Sequence, residues 1–120
     1  MKIIALFIAG ILFCSYSFSQ TEIKLDDVAA HVGETVKVCG KVYGSKFLES
    51  AKNAPTFINV GAQYPNAKLT LVIWGTARTN FKNKPEDFYN NKNICITGKV
   101  ELFKDKPQIV IEKEESITVN

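Results

Sequence analysis

Few side chains in this 120-residue chain could act as an acid, a base or a nucleophile in catalysis. His31 is the only histidine, and it ends a short helical pattern, so we interpret it as a helix-end residue and not as a general base. Glu86 and Asp87 are adjacent, but neighbours in sequence do not face one substrate, and acids also favour the first turn of a helix. We therefore predict that the protein is not an enzyme.

The sequence also lacks the patterns that would hold a metal or a cofactor. Its histidine and cysteine residues do not have the spacing of a zinc site, and its acidic residues do not form a calcium-binding loop. No glycine-rich phosphate loop follows a strand pattern. The sequence therefore predicts no metal and no cofactor, and binding becomes the chemistry to look for.

Residues 1–19 have the pattern of a secretory signal peptide. Lys2 is followed by an apolar run over residues 3–13, and small residues up to Ser19 leave Gln20 as the expected new amino terminus. The run is too short to span a bilayer comfortably, although a single-pass anchor is the rival interpretation. No later apolar stretch is long enough to cross a membrane. The sequence predicts a secreted or periplasmic protein whose residues 20–120 form a single domain.

Two cysteines, Cys39 and Cys95, remain after signal removal, because we interpret Cys14 as part of the signal. In an oxidising compartment such a pair is more often a disulfide than a metal-binding or catalytic pair, and two free thiols are the alternative. Both cysteines lie in segments that match each other. Residues 36–42 and 94–100 alternate apolar and polar side chains, and both contain the tripeptide Gly-Lys-Val.

Five segments have the alternation or the composition of β-strands. They are residues 34–43, 56–60, 69–74, 93–103 and 108–112, and residues 116–119 predict a further short strand. A helical period over residues 25–33 precedes the first strand, and Pro85 opens a second short helix between strands three and four. The pattern therefore predicts a small domain in which strands predominate.

The order of these elements resembles OB-fold domains, in particular small secreted bacterial OB domains and the anticodon-binding-like, nucleic-acid-binding group. The residues that carry the resemblance are His31-Val32-Gly33-Glu34-x-Val36-x-Val38-Cys39-Gly40-Lys41-Val42, Phe57-Ile58-Asn59-Val60-Gly61 and Ile96-Thr97-Gly98-Lys99-Val100. The resemblance implies an all-β fold, a five-stranded OB-fold barrel with a short N-terminal helix and a short helix between strands three and four. It is specific for the fold and much less so for function, because OB barrels bind DNA, RNA, sugars and proteins.

The resemblance also implies that strands one and four are antiparallel neighbours. By alternation, Cys39 and Cys95 then both point away from the core on adjacent strands. Cross-strand Cβ atoms come within about 4.5–5.5 Å of each other, which suits a disulfide. A Cys39–Cys95 bond is therefore expected.

OB domains usually bind ligands on the face of strands two and three and on the loops beside it. The ligand-binding residues that the resemblance implies are Tyr43, Lys46, Phe57, Asn59, Tyr64, Trp74, Arg78, Lys104 and Lys106. Alternation favours an outward position for Phe57, Asn59 and Trp74, although Phe57 and Trp74 could instead fill the core. The tight turn over residues 104–107 argues against a deep groove.

The basic residues are concentrated in the middle of the chain. Residues 36–108 contain twelve lysine or arginine residues and five acidic ones, a net charge of +7. Aromatic rings interleaved with cations suit unpaired nucleic acid, so we predict a module that binds single-stranded nucleic acid or another polyanion. One alternative is that these lysines only form the solvent-exposed faces of the strands. The other is that the protein is a module of the cell envelope that is structural or binds a protein or a glycan.

Overall fold

The computed structural model describes residues 21–120, in which strands predominate. The strands are β1 (Thr21–Ile23), β2 (Thr35–Phe47), β3 (Thr56–Val60), β4 (Leu69–Ile73), β5 (Asn93–Lys99), β6 (Glu101–Phe103), β7 (Lys106–Val110) and β8 (Ile117–Val119). The α-helices are α1 (Gly75–Arg78) and α2 (Pro85–Phe88), and 3-10 helices cover Leu25–His31 and Glu114–Ser116. The predicted signal peptide lies outside the described residues. Within residues 21–120, no helix is long and apolar enough to cross a membrane.

The predicted strands are all present, with differences at their ends. The second predicted strand has the bounds of β3, and the third ends one residue early because the chain turns into α1 at Trp74. The fourth is divided at Val100 into β5 and β6. Three elements, β1, α1 and the 3-10 helix over Glu114–Ser116, were not predicted, because short segments carry too little periodicity to be recognised in the sequence.

The strands form one sheet of eight strands. Their order is β6-β7-β4-β3-β2-β5-β8, with β1 paired to β2 in parallel. The β4–β7 pair is also parallel, and the remaining pairs are antiparallel. The mostly β class is thus confirmed, and the sheet is compatible with an OB-like fold. The arrangement differs from a simple five-stranded barrel, because the sheet includes three additional short strands and its order has two ends, β6 and β8.

The core lies on the face that alternation predicted for the central strands. Its fully buried side chains include Val36, Val38 and Val42 of β2, Ile58 and Val60 of β3, Leu69, Leu71 and Ile73 of β4, and Ile94 and Ile96 of β5. Val72 of β4 is also buried, although alternation places it on the face opposite Leu71 and Ile73.

The glycines of the two Gly-Lys-Val segments allow close packing at this core. A Cβ atom added to Gly40 would lie 2.7 Å from Cγ1 of Val60 and 2.9 Å from Cδ2 of Leu25. A Cβ atom added to Gly98 would overlap Cγ2 of Ile109. The repeated glycines therefore leave room for a neighbouring side chain in each of the two strands.

Cys39 and Cys95 are direct partners in the antiparallel β2–β5 ladder, and they form the expected disulfide. Their Cα atoms are 4.0 Å apart. Cys95 is buried, because Thr118 of β8 pairs with it on the other side and the Asn120 amide donates a hydrogen bond to its Sγ at 3.3 Å. The bond joins segments that are 56 positions apart in sequence and lies outside the main core cluster.

Candidate ligand-binding groove

A groove of about 800 Å³ lies over β3, β4 and β7 on the face opposite the core. Its walls are the end of β2, the loop that contains Tyr64 and Pro65, and the β6–β7 hairpin. Seven of the nine predicted site residues line it together: Tyr43, Lys46, Phe57, Asn59, Tyr64, Lys104 and Lys106. The structure therefore brings most of the predicted site into one concave surface.

A bulge in β2 places Tyr43 and Lys46 on the groove. Val42 is opposite Val60 and Gly44 is opposite Asn59, so two steps along β2 correspond to one step along β3. The extra residue exchanges the faces of the strand, since side chains in a strand alternate with a period of two. Val42 therefore faces the core, while Lys46, opposite Phe57, faces the groove.

The β6–β7 hairpin forms one rim of the groove. Phe103 and Lys106 pair across a two-residue turn in which Lys104 and Asp105 have φ values of 51° and 63°. Two positive φ values are typical of the tight turn that matches the twist of a hairpin. The turn is as short as the sequence predicted, and yet it projects Phe103, Lys104 and Lys106 to the groove.

The loop before β4 forms a second rim beside the hairpin, because β4 and β7 are parallel and begin at the same end of the sheet. It carries Tyr64, whose side chain is 79% exposed. Lys106 Nζ donates a hydrogen bond to the Pro65 carbonyl at 3.1 Å, which joins the two rims. Lys68 at the end of this loop pairs with Asp26, and this hydrogen bond and charge lower the pKa of Asp26 below its ordinary value. The loop is therefore held at both the groove side and the helix side.

The groove combines exposed aromatic rings with positive charge. Tyr43, Phe57, Tyr64 and Phe103 line it, and Phe103 is 58% exposed. Lys46, Lys104 and Lys106 line it as well, and within residues 21–120 no aspartate or glutamate does. Two of these lysines lie over rings of the site, with Lys104 Nζ 5.4 Å from the Phe103 centroid and Lys106 Nζ 6.0 Å from the Tyr64 centroid.

Polar side chains form a row across the floor of the groove. Asn59 of β3 is directly opposite Thr70 of β4, and Thr70 is the partner of Gln108 of β7. All three line the groove and are half-buried. Gln108 and Phe103 are absent from the predicted site, because the sequence pattern alone does not reveal which residues of the last hairpin lie beside β4.

Trp74 lies outside this groove. It follows the end of β4 and is 38% exposed, and it lines a separate concave surface with Asn53, Ala54 and Thr76. Its carbonyl accepts hydrogen bonds from the backbone amides of Ala77 and Arg78, which begin α1. Trp74 is outward, as alternation favoured, but it faces a different surface from Phe57.

Arg78 also lies outside the groove and is engaged within the fold. Its Nη2 donates to the Glu86 carboxylate at 2.8 Å, and its guanidinium lies 3.8 Å from the Phe47 ring centroid. Both charged side chains are largely buried, with 22% and 16% exposure. Ser45 Oγ donates a hydrogen bond to the Glu86 carbonyl. These contacts attach the segment with α1 and α2 to the end of β2.

His31 lies away from the groove, and among residues 21–120 no acidic side chain lines it. His31 Nδ1 is 3.2 Å from the Glu34 carboxylate at the end of the 3-10 helix, in agreement with a helix-end role. Among residues 21–120, no group of three or more His, Cys, Asp or Glu side chains is placed to hold a metal ion. The described part of the chain thus offers the groove as its best-developed binding surface.

Comparisons with known proteins identify the fold. No protein-family model matches the chain, and no curated protein matches it. The chain is similar to a putative aspartyl-tRNA synthetase from Leishmania major Friedlin, with 12% identity and a TM-score of 0.52 over 90% of this chain and 22% of the other. It is also similar to yeast Stn1 and Ten1, with 11% identity and a TM-score of 0.58 over 88% of this chain and 65% of the other.

The chain therefore spans less than two thirds of each of these solved chains. At such low identity, the similarity concerns the fold alone. It confirms the OB-fold resemblance that the sequence suggested.

Proposed function

We propose that the chain is a secreted, non-catalytic OB module that binds single-stranded nucleic acid along the groove over β3, β4 and β7. The observation that carries the proposal is the lining itself, in which four aromatic rings and three lysines occur without a carboxylate. Unpaired bases stack on exposed rings, and lysines attract the phosphates that connect them. Both requirements meet in one concave surface.

Stacking supplies the sequence-tolerant part of this binding. Each base that stacks on an aromatic side chain contributes about 1–3 kcal/mol. Tyr64 and Phe103 stand on the two neighbouring rims and are the most exposed rings of the groove. A strand that passes over these rims can therefore stack a base on each ring and reach Phe57 on the floor.

Positive charge supplies the remaining part of the binding free energy. The lysines of the groove belong to a segment, residues 36–108, whose net charge is +7. A positive surface raises the local concentration of a polyanion and speeds its association. The name of one structural neighbour, an aspartyl-tRNA synthetase, refers to a nucleic acid, which agrees with the proposed ligand class.

The remaining parts of the proposal have separate support. Secretion is supported by the signal pattern of residues 1–19, and a non-catalytic role by the single histidine of the sequence.

We also propose that the strands close into an OB barrel. The support is that β5 and β6 are separated only by Val100, while β5 pairs with β2 and β6 pairs with β7.

Fluorescence anisotropy with labelled oligonucleotides tests the proposal. Single-stranded oligomers of mixed sequence are expected to bind residues 20–120 at low salt, and more tightly than a duplex of equal length. For three phosphates neutralised by the three groove lysines, a tenfold rise in salt should weaken binding by roughly 100-fold. Absence of binding at low salt would contradict the proposal. Binding of a glycan or peptide panel instead would favour the envelope-module alternative.

A further inference from the structure

We propose that Asn59, Thr70 and Gln108 read the edges of bases and give the groove a preference for adenine in single-stranded nucleic acid. The inference rests on the proposed function, and it concerns what the polar row adds to stacking and charge. The three side chains occupy register-matched positions on three adjacent strands. The row therefore lies on rigid sheet and not on loops.

The polar groups of the row are free to bind a ligand. Among residues 21–120, the amides of Asn59 and Gln108 and the hydroxyl of Thr70 make no side-chain hydrogen bond. They nevertheless lie half-buried in a surface lined with aromatic rings. Half-buried amides without partners gain most from a ligand that satisfies both a donor and an acceptor.

The chemistry of these amides matches adenine. An asparagine or glutamine amide pairs with two atoms of adenine at once, donating to N7 and accepting from the N6 amino group. A carboxylate, which accepts from the cytosine amino group, is missing from the lining, and so is an arginine, which shares with lysine the ability to bind guanine through two hydrogen bonds. The three lysines lie near the end of β2 and on the β6–β7 hairpin, where their charges are placed to bind phosphates.

The arrangement of rings around the row favours the same base. Phe57 is two residues from Asn59 along β3. Phe103 pairs with Lys106, and Lys106 is two residues before Gln108 along β7. A base that stacks on either ring therefore has an amide of the row beside its edge. Adenine is a purine and therefore offers a larger stacking face than a pyrimidine. The same base can thus stack on a ring and form hydrogen bonds with an amide of the row.

Competition among homopolymers tests the inference. We expect an oligo(dA) of about ten residues to bind residues 20–120 roughly tenfold more tightly than oligo(dT) or oligo(dC) at the same salt, since one good bidentate pair discriminates by roughly 5- to 150-fold. Replacing adenine by purine, which stacks but lacks the N6 amino group, should remove most of the preference. The double variant Asn59→Leu, Gln108→Met should remove it as well.

A matched control is available in Asn80→Ala, because Asn80 is exposed and lies outside the groove. This variant should keep the full preference. Equal affinity for all homopolymers would overturn the inference and leave the proposed function standing. A preference that survives in the purine oligomer or in the double variant would overturn it too, since stacking would then explain the preference. Failure of every oligonucleotide to bind would overturn both proposals.

Discussion

Lys106 and Tyr64 lie on the two neighbouring rims of the groove and meet where these rims adjoin. Lys106 Nζ is 6.0 Å from the centroid of the Tyr64 ring and donates a hydrogen bond to the carbonyl of the next residue, Pro65, at 3.1 Å. A cation over the face of a ring is attracted to it, so the two rims support each other.

Removal of the rim lysines should weaken nucleic-acid binding in a salt-dependent way. The double variant Lys104→Ala, Lys106→Ala loses two of the three groove cations, so the slope of log K against log salt should fall by about 0.7 for each lysine. Anisotropy titrations at several salt concentrations measure this slope. Lys113→Ala, which removes an exposed lysine outside the groove, is the control. An unchanged slope in the double variant would exclude these lysines from phosphate contact.

The aromatic residues of the predicted site should differ in importance. Tyr64→Ala removes an exposed ring from the groove rim and should lower affinity for single strands by at least roughly fivefold. Trp74→Ala should change affinity by less than about twofold, because Trp74 lines a different surface. Equilibrium binding of both variants to one oligonucleotide measures the difference. A larger loss for Trp74 would move the binding site to the other concave surface.

Loss of the disulfide should destabilise the domain. In the chain-entropy model, a bond between positions 56 apart stabilises the folded state by about 4 kcal/mol. The double variant Cys39→Ala, Cys95→Ala should therefore unfold at a clearly lower urea concentration, and wild type in excess reductant should behave similarly. Thiol quantification checks the premise, since two reactive thiols in the unreduced protein would show that the bond is not formed.

Adding one methyl group to Gly98 should also be costly. The Cβ atom of Gly98→Ala overlaps the buried Ile109 side chain, and overpacking of this kind costs about 1–3 kcal/mol. Gly44→Ala is a matched control, because no atom lies within 4 Å of its added Cβ. Urea denaturation of both variants provides the comparison. Equal stability of the two would mean that β5 and β7 pack less closely than described.

Stability should decline at high pH through Tyr89. Burial, with a smaller contribution from Glu114, raises the pKa of Tyr89 from 10.0 to about 12. The unfolded state therefore loses this proton first, so the stabilisation is complete below pH 10 and is lost as the pH rises towards 12. The free energy of unfolding should fall by roughly 2–3 kcal/mol over this interval. In Tyr89→Phe, which cannot ionise, this part of the pH dependence should disappear.

Strand alternation and the disulfide could be predicted from the sequence because both depend on local pattern and on neighbouring strands. The bounds of β3, the buried face of β4 at Leu69 and Leu71, and the Cys39–Cys95 bond are of this kind. Each follows from a period of two and from one assumption about which strands are adjacent.

The positions of Trp74 and Arg78 could not be predicted in this way. The backbone turns into α1 directly after β4, so the alternation that assigned Trp74 to the face of Phe57 no longer applies there. Contacts with Glu86 and Phe47 bury much of the Arg78 side chain. These two residues lie in other elements, and only the folded chain brings them to Arg78. Side chains at the ends of elements depend on tertiary contacts, which a single sequence does not reveal.

Because of the bulge at Tyr43, the number of residues in β2 determines which face of the strand each later side chain occupies. Insertion or deletion of a single residue between Val42 and Lys46 would exchange the interior and exterior faces of everything that follows in the strand. Natural variants of this chain are therefore expected to substitute Tyr43 more readily than to change the number of residues here. The length of this short segment is therefore a property that selection should preserve together with the groove side chains of Tyr43 and Lys46.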